Sequence, residues 1–422
     1  MSRLFHFKRD MLQSIGSSGV GLLITLLTTP IMTRIYPADA YGINAMMMTV
    51  ATLIAGVGLL GLPVALAREQ KGLEQARLLH ASAQMSMVLV ALCLLVTLTV
   101  LMGPFNLPDE LTTLFALMLP LLVLVHCAQR VVDSLVIAKG RFQAQAMARI
   151  GNAVTTRGLA LALGWLVNPV AASMLAGDGV GKITHVAIAL KVGQLGANCR
   201  ALCWWPNPKF LVKTIRAYRD FALQSNLASA LPLLGVLSIQ MILGAGLGVE
   251  AVGYFVLAQS IITLPVTVVA LASAPVVFHR FVRAADDTPE TLQRLALMAL
   301  LGYLAVGFVL MVPFILFGPA IFSFAFGDQW YPAGMAAAAL AVPQILNFGL
   351  TGVLSLFRVM RKMNAWLGFE IAGTSIVIFG MLILPKQTDL MTAMIVLASL
   401  KFGYNILMLA GCLWASKQTL ER

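Results

Sequence analysis

The sequence predicts an all-α integral membrane protein with about twelve transmembrane helices in two six-helix lobes around a central cavity. Hydrophobic residues make up 59% of the 422 positions and charged residues only 11%, whereas soluble domains carry about 25% charge. Apolar stretches long enough to cross a bilayer recur along the whole chain. Short basic clusters separate these stretches at every second loop, which is the charge pattern of a multi-pass membrane protein.

The first lobe, residues 1–200, is expected to contain six spans of about 20 mostly apolar residues each. Their windows fall at 12–34, 40–64, 78–102, 111–138, 146–167 and 169–191. The first window is longer than a signal-peptide core and has no A-x-A cleavage site, so we expect it to be a retained span. The sixth is the weakest, because its segment GDGVGK (177–182) is expected to break or thin the helix.

The second lobe, residues 220–422, is expected to contain six further spans. Their windows fall at 221–246, 250–276, 292–318, 333–357, 364–385 and 390–415. A weak internal repeat supports two halves, because DAYG from Asp39 and EAVG from Glu250 each place an acid, an alanine and a glycine at the start of the second span. Since six is an even number, the halves should share their orientation and be related by an axis along the membrane normal.

A linker, residues 201–219, is expected to join the two lobes. It combines Trp204 and Trp205 with Lys209, Lys213 and Arg216. This mixture is typical of an interfacial segment, with aromatic rings at headgroup depth and cations towards anionic lipid.

The basic clusters predict the orientation of the chain. Most of the 29 Lys and Arg residues lie in loops on one side, and the opposite loops (FNLPDE, VNP, LGVE, FGDQWYP and KQTD) hold almost none. Since positive loops stay in the cytoplasm, we expect both termini there. No loop exceeds about 30 residues, so a separate catalytic domain on either face is not expected.

Several other functions are disfavoured by the residues themselves. The +12 net charge does not form one patch, so nucleic acid is not an expected partner. The five cysteines and five histidines show no metal-ligand spacing. The segment AGDGVGKIT has Ala176 and Ile183 where a phosphate-binding loop needs glycine and Ser/Thr. We therefore expect no metal site and no cofactor.

Several segments resemble one family of membrane proteins. LTTPIMTRIYPADAYG (27–42) resembles the junction of the first two helices of bacterial polysaccharide flippases, within the multidrug/oligosaccharidyl-lipid/polysaccharide exporter superfamily. GRFQAQAMARI (140–150) and YRDFALQSNLASAL (218–231) are similar to the segments leading into its fifth and seventh helices. LGVEAVGYFVLAQSIITLPVTVV and FGDQWYPAGMAAAALAVPQILNF resemble the starts of the eighth and tenth. These segments occur in the order and spacing of the family, and the resemblance covers nearly the whole chain.

The resemblance implies a transporter and not an enzyme. It implies that the cargo is an undecaprenyl-diphosphate-linked oligosaccharide repeat unit, moved from the cytoplasmic to the periplasmic leaflet of a bacterial inner membrane. The product would be a surface polysaccharide (O-antigen, capsule or exopolysaccharide), with a polysaccharide polymerase and a chain-length regulator as partners. The segments do not indicate which sugar is moved.

Cations inside the predicted spans are the candidates for binding the diphosphate. Ionisable residues there cost about 2.5–3.5 kcal/mol on insertion scales and usually face a cavity or a partner. Arginine grips phosphate with a planar fork. Arg157 comes first, because no acid lies within a helical turn of it, and Arg130, Lys182 and Arg34 follow. For Arg34, snorkelling to the headgroups is an equal alternative.

Acids in or near the spans are candidates for ion coupling, namely Asp133, Asp178 and Asp39. Asp133 lies three residues from Arg130, and Asp178 lies four from Lys182, so each pair shares a helix face. The alternative is therefore that each acid neutralises its cation and only holds helices together. Glu370 and Lys401, on the last two spans, are expected to form such a structural pair.

Three other functions are alternatives. A drug/cation antiporter of the same superfamily would need an acidic cavity, whereas the buried charges here lean basic. A membrane polysaccharide polymerase or ligase would present a large outer loop with catalytic residues, which this sequence does not contain. A non-transporting scaffold for glycan assembly would use the buried charges only for structure.

Overall fold

The structure confirms the all-α class. A computed structural model describes residues 2–69, 71–102, 109–196, 207–287, 289–383 and 388–416. Within these ranges all regular structure is helical and strands are absent. The helices are α1 (Ser2–Ile35), α2 (Ala38–Gly58), α3 (Leu62–Arg68), α4 (Gly72–Met102), α5 (Asp109–Ala138), α6 (Phe142–Leu166), α7 (Ala171–Val192), α8 (Pro208–Ala217), α9 (Arg219–Leu247), α10 (Val249–Asp287), α11 (Pro289–Phe326), α12 (Tyr331–Val353), α13 (Leu356–Val359), α14 (Met363–Leu382) and α15 (Leu390–Ser416).

Nine helical stretches in the described ranges are long and apolar enough to cross a membrane. They lie in α2, α4, α5, α9, α10, α11, α12, α14 and α15. The segment Gly19–Ile35 of α1 is a shorter apolar helix, and α6 and α7 have the length of a span but carry charged side chains in their middle turns. Together these three and the nine would give the twelve spans of the sequence analysis, a number that stays a prediction.

Helix α7 corrects one expectation from the sequence. It runs without a break from Ala171 to Val192, so GDGVGK does not break the sixth span. A Cβ on Gly177 would lie 2.8 Å from the carbonyl oxygen of Thr156, and one on Gly181 would collide with the Thr156 hydroxyl. Glycines four residues apart let membrane helices approach closely. These two therefore serve the contact of α7 with α6 and do not interrupt the helix.

The described chain forms two compact units. The first unit comprises Met1–Ala40 and Asn44–Leu237, and the second comprises Tyr41–Ile43 and Ser238–Arg422. The division falls inside α9 and not in the 201–219 linker. The lobe boundaries expected at residues 200 and 220 stay predictions.

The junction of α1 and α2 is fixed by Tyr36, in the first unit. Its side chain is fully buried, and its hydroxyl donates a hydrogen bond of 2.6 Å to the carbonyl oxygen of Ala160 on α6. A Cβ on Gly164 would lie 2.6 Å from the same hydroxyl oxygen. Only glycine at this position leaves room for the tyrosine ring.

Helix α8 occupies the described part of the linker. The Asn207 side chain caps it by accepting from the Phe210 N–H at 3.3 Å, as N-cap residues do. Two contacts hold it to α4: the Arg77 Nε–H donates to the Thr214 hydroxyl at 3.3 Å, and the hydroxyl of Tyr218, just beyond α8, donates to Glu74 at 3.2 Å. Burial and the Glu74 carboxylate raise the pKa of Tyr218. This hydroxyl is therefore protonated at neutral pH and can donate.

The sequence analysis placed aromatic rings and cations together in this linker. Lys209, Lys213 and Arg216 are exposed on α8, as an interfacial helix requires. Trp204 and Trp205 lie outside the described residues.

The second unit packs around apolar side chains from α10, α11, α13 and α15. Fully or almost fully buried members are Phe281, Leu292, Leu356, Phe357 and Met408. A second centre lies at Trp330, whose buried ring makes edge-to-face contacts with Tyr41 and Tyr254 at centroid distances of 5.1 and 5.9 Å. Edge-to-face geometry is favoured for aromatic pairs, so Trp330 of FGDQWYP is a packing residue.

We predict that Gly164→Ala destabilises the protein by about 1–3 kcal/mol, because the added methyl group overlaps the Tyr36 ring. The matched control is Gly158→Ala on the same helix, where a Cβ meets no atom within 4 Å. Thermal unfolding of the purified protein in detergent measures the difference. Equal midpoints for the two variants would contradict this account of the junction.

Candidate functional site

A set of polar side chains inside the first unit forms the candidate site. We call it the polar cluster. Its members come from four helices and lie on their inner faces. They are Asn44 on α2, Gln129, Arg130 and Asp133 on α5, Arg157 on α6, and Asp178, Lys182 and His185 on α7.

The helical period explains why α7 contributes three members. Asp178, Lys182 and His185 lie four and three residues apart, so they share one face of the helix. The glycines of α7 bring that face against its neighbours, since Gly177 and Gly181 meet α6 at Thr156. The charges are thus held by a close helix–helix contact.

Asp133 pairs with a histidine across the helices. Its Oδ1 lies 2.8 Å from the Nε2 of His185. The histidine side chain is 1% exposed and the aspartate side chain 26% exposed, so the pair is accessible from the aspartate side. An ion pair between Asp133 and Arg130, the alternative from their spacing on α5, is not formed in the described chain. The Arg130 guanidinium instead lies against Gly56 of α2, with Nη2 3.1 Å from the position of a Cβ there.

Lys182 is bound to α5. Its Nζ donates to the Gln129 side-chain oxygen at 3.0 Å, and it interacts electrostatically with Asp178, Asp133 and Arg130. An amide oxygen stabilises an ammonium group without removing its charge. Gln129 is therefore a neutral partner of Lys182 on α5.

Arg157 also has a partner on another helix. Asp178 interacts electrostatically with Arg157, and the Asn44 side chain hydrogen-bonds the Asp178 carboxylate. Arg157 has no acid within a turn of its own helix, as the sequence shows, but α7 supplies one. Both Arg157 and Asp178 are half-buried.

The polar cluster has a formal net positive charge. Three cations, Arg130, Arg157 and Lys182, face two carboxylates, Asp133 and Asp178, which leaves one positive charge when His185 is neutral. Two buried atoms in the cluster also have no hydrogen-bond partner among the described residues: the Asn44 Oδ1 and the His185 Nδ1. Buried polar groups are nearly always satisfied, so these two atoms are exceptions within the cluster.

Arg34 and Asp39 are not joined to the polar cluster by hydrogen bonds or ion pairs of the described residues. Arg34 is exposed in the last turn of α1. Asp39 is exposed in the first turn of α2, where its Oδ1 accepts from the Ala40 N–H at 2.7 Å. The structure thus leaves both residues at the helix junction, and their roles stay predictions.

The expected pair of Glu370 and Lys401 is not formed. Glu370 accepts from the Tyr404 hydroxyl at 2.9 Å, and Lys401 donates to the Gln259 side-chain oxygen at 2.7 Å. Lys401 also lies over the Phe255 ring, 5.4 Å from its centroid. The reason is geometric, because Lys401 and Tyr404 are neighbours on α15, and the tyrosine reaches α14 while the lysine reaches α10.

Comparison with known families decides the classification. A family model described as "Polysaccharide biosynthesis protein" matches residues 7–285, which is more than half of the chain. The chain belongs to this family. Among curated proteins, none matches the sequence.

Solved structures show that this polysaccharide biosynthesis family member has the fold of the MOP superfamily. A lipid II flippase MurJ in an inward closed conformation matches with a TM-score of 0.71 at 12% identity, over 95% of this chain and 86% of that one. An inward-facing multidrug resistance MATE family transporter matches with a TM-score of 0.66 at 16% identity, over 95% and 97%. A MOP superfamily transporter from Pyrococcus furiosus matches with a TM-score of 0.58 at 15% identity, over 97% and 95%. These matched proteins are transporters and a flippase, and the chain shares their fold.

Three members of the polar cluster were not chosen from the sequence: His185, Gln129 and Asn44. His185 lies two turns from Asp178 on α7, so its place on the charged face could have been read from the helical period. Gln129 and Asn44 are neutral, and their roles depend on partners from distant parts of the chain. Sequence spacing alone does not reveal such partners.

We predict that Asp133→Leu destabilises the protein by about 1–3 kcal/mol, because it leaves the buried His185 ring without its only side-chain partner in the described chain. Asp133→Asn is the matched variant, since its amide oxygen can still accept from Nε2–H. The unfolding midpoint in detergent should fall for leucine and remain close to wild type for asparagine. A leucine variant as stable as the asparagine variant would show that the pair does not support the fold.

Proposed function

We propose that this protein is a flippase for a polyprenyl-diphosphate-linked oligosaccharide, which it moves from the cytoplasmic to the outer leaflet by alternating access. The observation that carries the proposal is the positive, half-buried polar cluster in a member of a polysaccharide biosynthesis family. A diphosphate has about two negative charges, and a positive site in a low-dielectric surrounding favours it. The MOP fold, which a lipid II flippase also has, is consistent with this cargo.

In the proposed mechanism, Arg157 and Arg130 bind the diphosphate with their guanidinium forks, and Lys182 adds a point charge. Before the cargo arrives, Asp178 balances Arg157. This internal counter-ion limits the cost of an unpaired cation while the site is empty. The diphosphate then takes its place beside Arg157. Arg34 would meet the diphosphate on the outward-open side, and the isoprenoid chain would stay in lipid.

Two sources of energy are consistent with the residues. A negative charge moving outward gains about 2.3 kcal/mol per 100 mV when the inside is negative. In addition, the Asp133–His185 pair could carry a proton, because intramembrane Asp and His residues form the proton relays of transporters. Lys182 interacts electrostatically with Asp133 of that pair. Around Lys182 lie Asp178, Arg130 and His126, and Asp178 in turn interacts with Arg157. Asp178 and Asp39 are the other candidate coupling sites.

The proposal includes the setting in the cell. The protein lies in the bacterial inner membrane with both termini in the cytoplasm, as the distribution of basic loops predicts. Its product serves a surface polysaccharide such as O-antigen, capsule or exopolysaccharide. A polysaccharide polymerase and a chain-length regulator are the proposed partners.

A drug/cation antiporter is the second candidate function, because a multidrug resistance MATE transporter shares the fold. The charge of the polar cluster disfavours it, since a positive site repels cationic drugs. Drug susceptibility after loss of the protein separates the two functions. If the protein is a flippase, its loss should leave drug susceptibility unchanged and alter the surface polysaccharide.

We predict that depletion of the protein makes lipid-linked oligosaccharide accumulate on the cytoplasmic leaflet. Arg157→Ala should reproduce this defect while the protein still inserts into the membrane, because it removes a fork that binds the diphosphate. Arg141→Ala, an exposed arginine at the start of α6, is the control and should export normally. Accessibility of the lipid-linked oligosaccharide to enzymes added at the outer leaflet, with protein abundance in the membrane fraction, measures both effects.

Normal surface polysaccharide after depletion, with no substitute flippase present, would refute the proposed function. Full export by Arg157→Ala would leave the function standing and remove that residue from the site.

We predict that Asp133→Asn retains binding of the cargo but loses the dependence of transport on a pH gradient. The reason is that an amide cannot take up a proton as a carboxylate does, while its oxygen keeps the hydrogen bond to His185. Flipping in proteoliposomes with and without an imposed pH gradient measures this. An asparagine variant that responds to the gradient like wild type would exclude this aspartate as the coupling group.

A further inference from the structure

A groove between α10 and α11 lies within the second unit, apart from the polar cluster. We call it the α10–α11 groove, and its volume is about 420 Å³, within the usual range for ligand pockets. One wall is a stripe of α10, with Val269, Ser273, Val277 and Arg280 at successive turns. The other wall is α11 from Leu295 to Val306. The walls are apolar except for Arg280 and a pair of hydroxyl groups.

The length of the groove corresponds to one leaflet. From Val269 to Arg280 the helix rises about 16 Å at 1.5 Å per residue, and the hydrocarbon core of a bilayer is about 30 Å thick. The groove, from Val269 to the exposed Arg280, is therefore about as long as one leaflet is thick. That length accommodates a single lipid chain.

The charges lie at one end only. Arg280 is exposed at the end of the groove, and Arg283 and Arg294 are exposed on the adjacent turns of α10 and α11. Glu290 is exposed in the first turn of α11, and Asp286 and Asp287 follow Arg283 in the sequence. Basic pockets between transmembrane helices on the cytoplasmic side bind anionic headgroups.

Among the described residues, the two hydroxyl groups in the deep part of the groove are paired with each other. The hydroxyl of Tyr303 donates to the hydroxyl of Ser273, so these two groups satisfy each other. Gly302 lies on the α11 wall, and a Cβ there would meet nothing within 4 Å. The groove is therefore open beside Gly302, and a bound chain would contact the helix backbone.

We infer that the α10–α11 groove is a binding site for an anionic glycerophospholipid, with one acyl chain along the groove and the phosphate at Arg280. Arg280, the charged residue that lines the groove itself, the apolar walls and the one-leaflet length together select this class of ligand. The site does not depend on the identity of the transported cargo. If the groove proves not to bind lipid, the proposed flippase function is unaffected.

Two variants separate the chain from the headgroup. Gly302→Leu places a side chain in the groove, since a Cβ there meets no atom within 4 Å. Its matched control is Gly246→Leu on α9, which is also open around the Cβ but lies outside the groove. Arg280→Gln removes the charge at the end of the groove and keeps a polar head on an apolar stem, with Arg141→Gln as its control.

The experiment uses the purified full chain in detergent with dioleoyl phosphatidylglycerol or dioleoyl phosphatidylcholine. Native mass spectrometry counts the retained lipid, and the unfolding midpoint reports stabilisation. Wild type and both controls should retain phosphatidylglycerol in preference to phosphatidylcholine. Arg280→Gln should reduce that preference about fivefold, the effect of one basic residue, and Gly302→Leu should abolish retention of either lipid.

Three results would overturn the inference. Equal retention of the two lipids by wild type would exclude a headgroup site. Retention of phosphatidylglycerol by Gly302→Leu at the wild-type level would place the lipid elsewhere. Displacement of phosphatidylglycerol by an equal concentration of polyprenyl phosphate would assign the groove to a different lipid.

Discussion

The close contact of α6 with α7 is the constraint on which the rest of the first unit depends. A membrane interior tolerates several charges only where they meet partners, and here the partners come from different helices. Gly177 and Gly181 bring α7 against Thr156 of α6. That approach places Asp178 near Arg157. On the next turns of α7, Lys182 reaches Gln129 and His185 reaches Asp133, both on α5. A bulkier residue at either glycine would separate the charges from the groups that stabilise them.

The two units handle buried charge differently. In the first unit, three cations and two carboxylates form one connected set with a net positive charge. In the second, Lys401 is bound by an amide and an aromatic face, while Glu370 is bound by a tyrosine. Only the first arrangement offers several cations to one anion. For this reason we place the proposed diphosphate site in the first unit. The proposed lipid site in the second unit has one charged lining residue, Arg280.

Composition and apolar length were sufficient to predict the helical class and most helix positions, because a bilayer permits few other structures. The same reasoning failed at GDGVGK. There glycine was taken to break a helix, whereas between packed membrane helices it permits contact. Charged site residues could be named from their cost in the membrane, but their partners could not. Asp133 shares a face with Arg130 yet pairs with His185, since the choice depends on how α5 and α7 are packed.

The position of Lys401 has a consequence for biogenesis. Its partners, Gln259 and Phe255, belong to α10, which the ribosome completes well before α15. A lysine in the centre of a helix costs about 2.5–3.5 kcal/mol at the translocon. The last helix therefore inserts against a neighbour that already offers an amide oxygen and an aromatic ring, and its integration is coupled to the prior folding of an earlier segment.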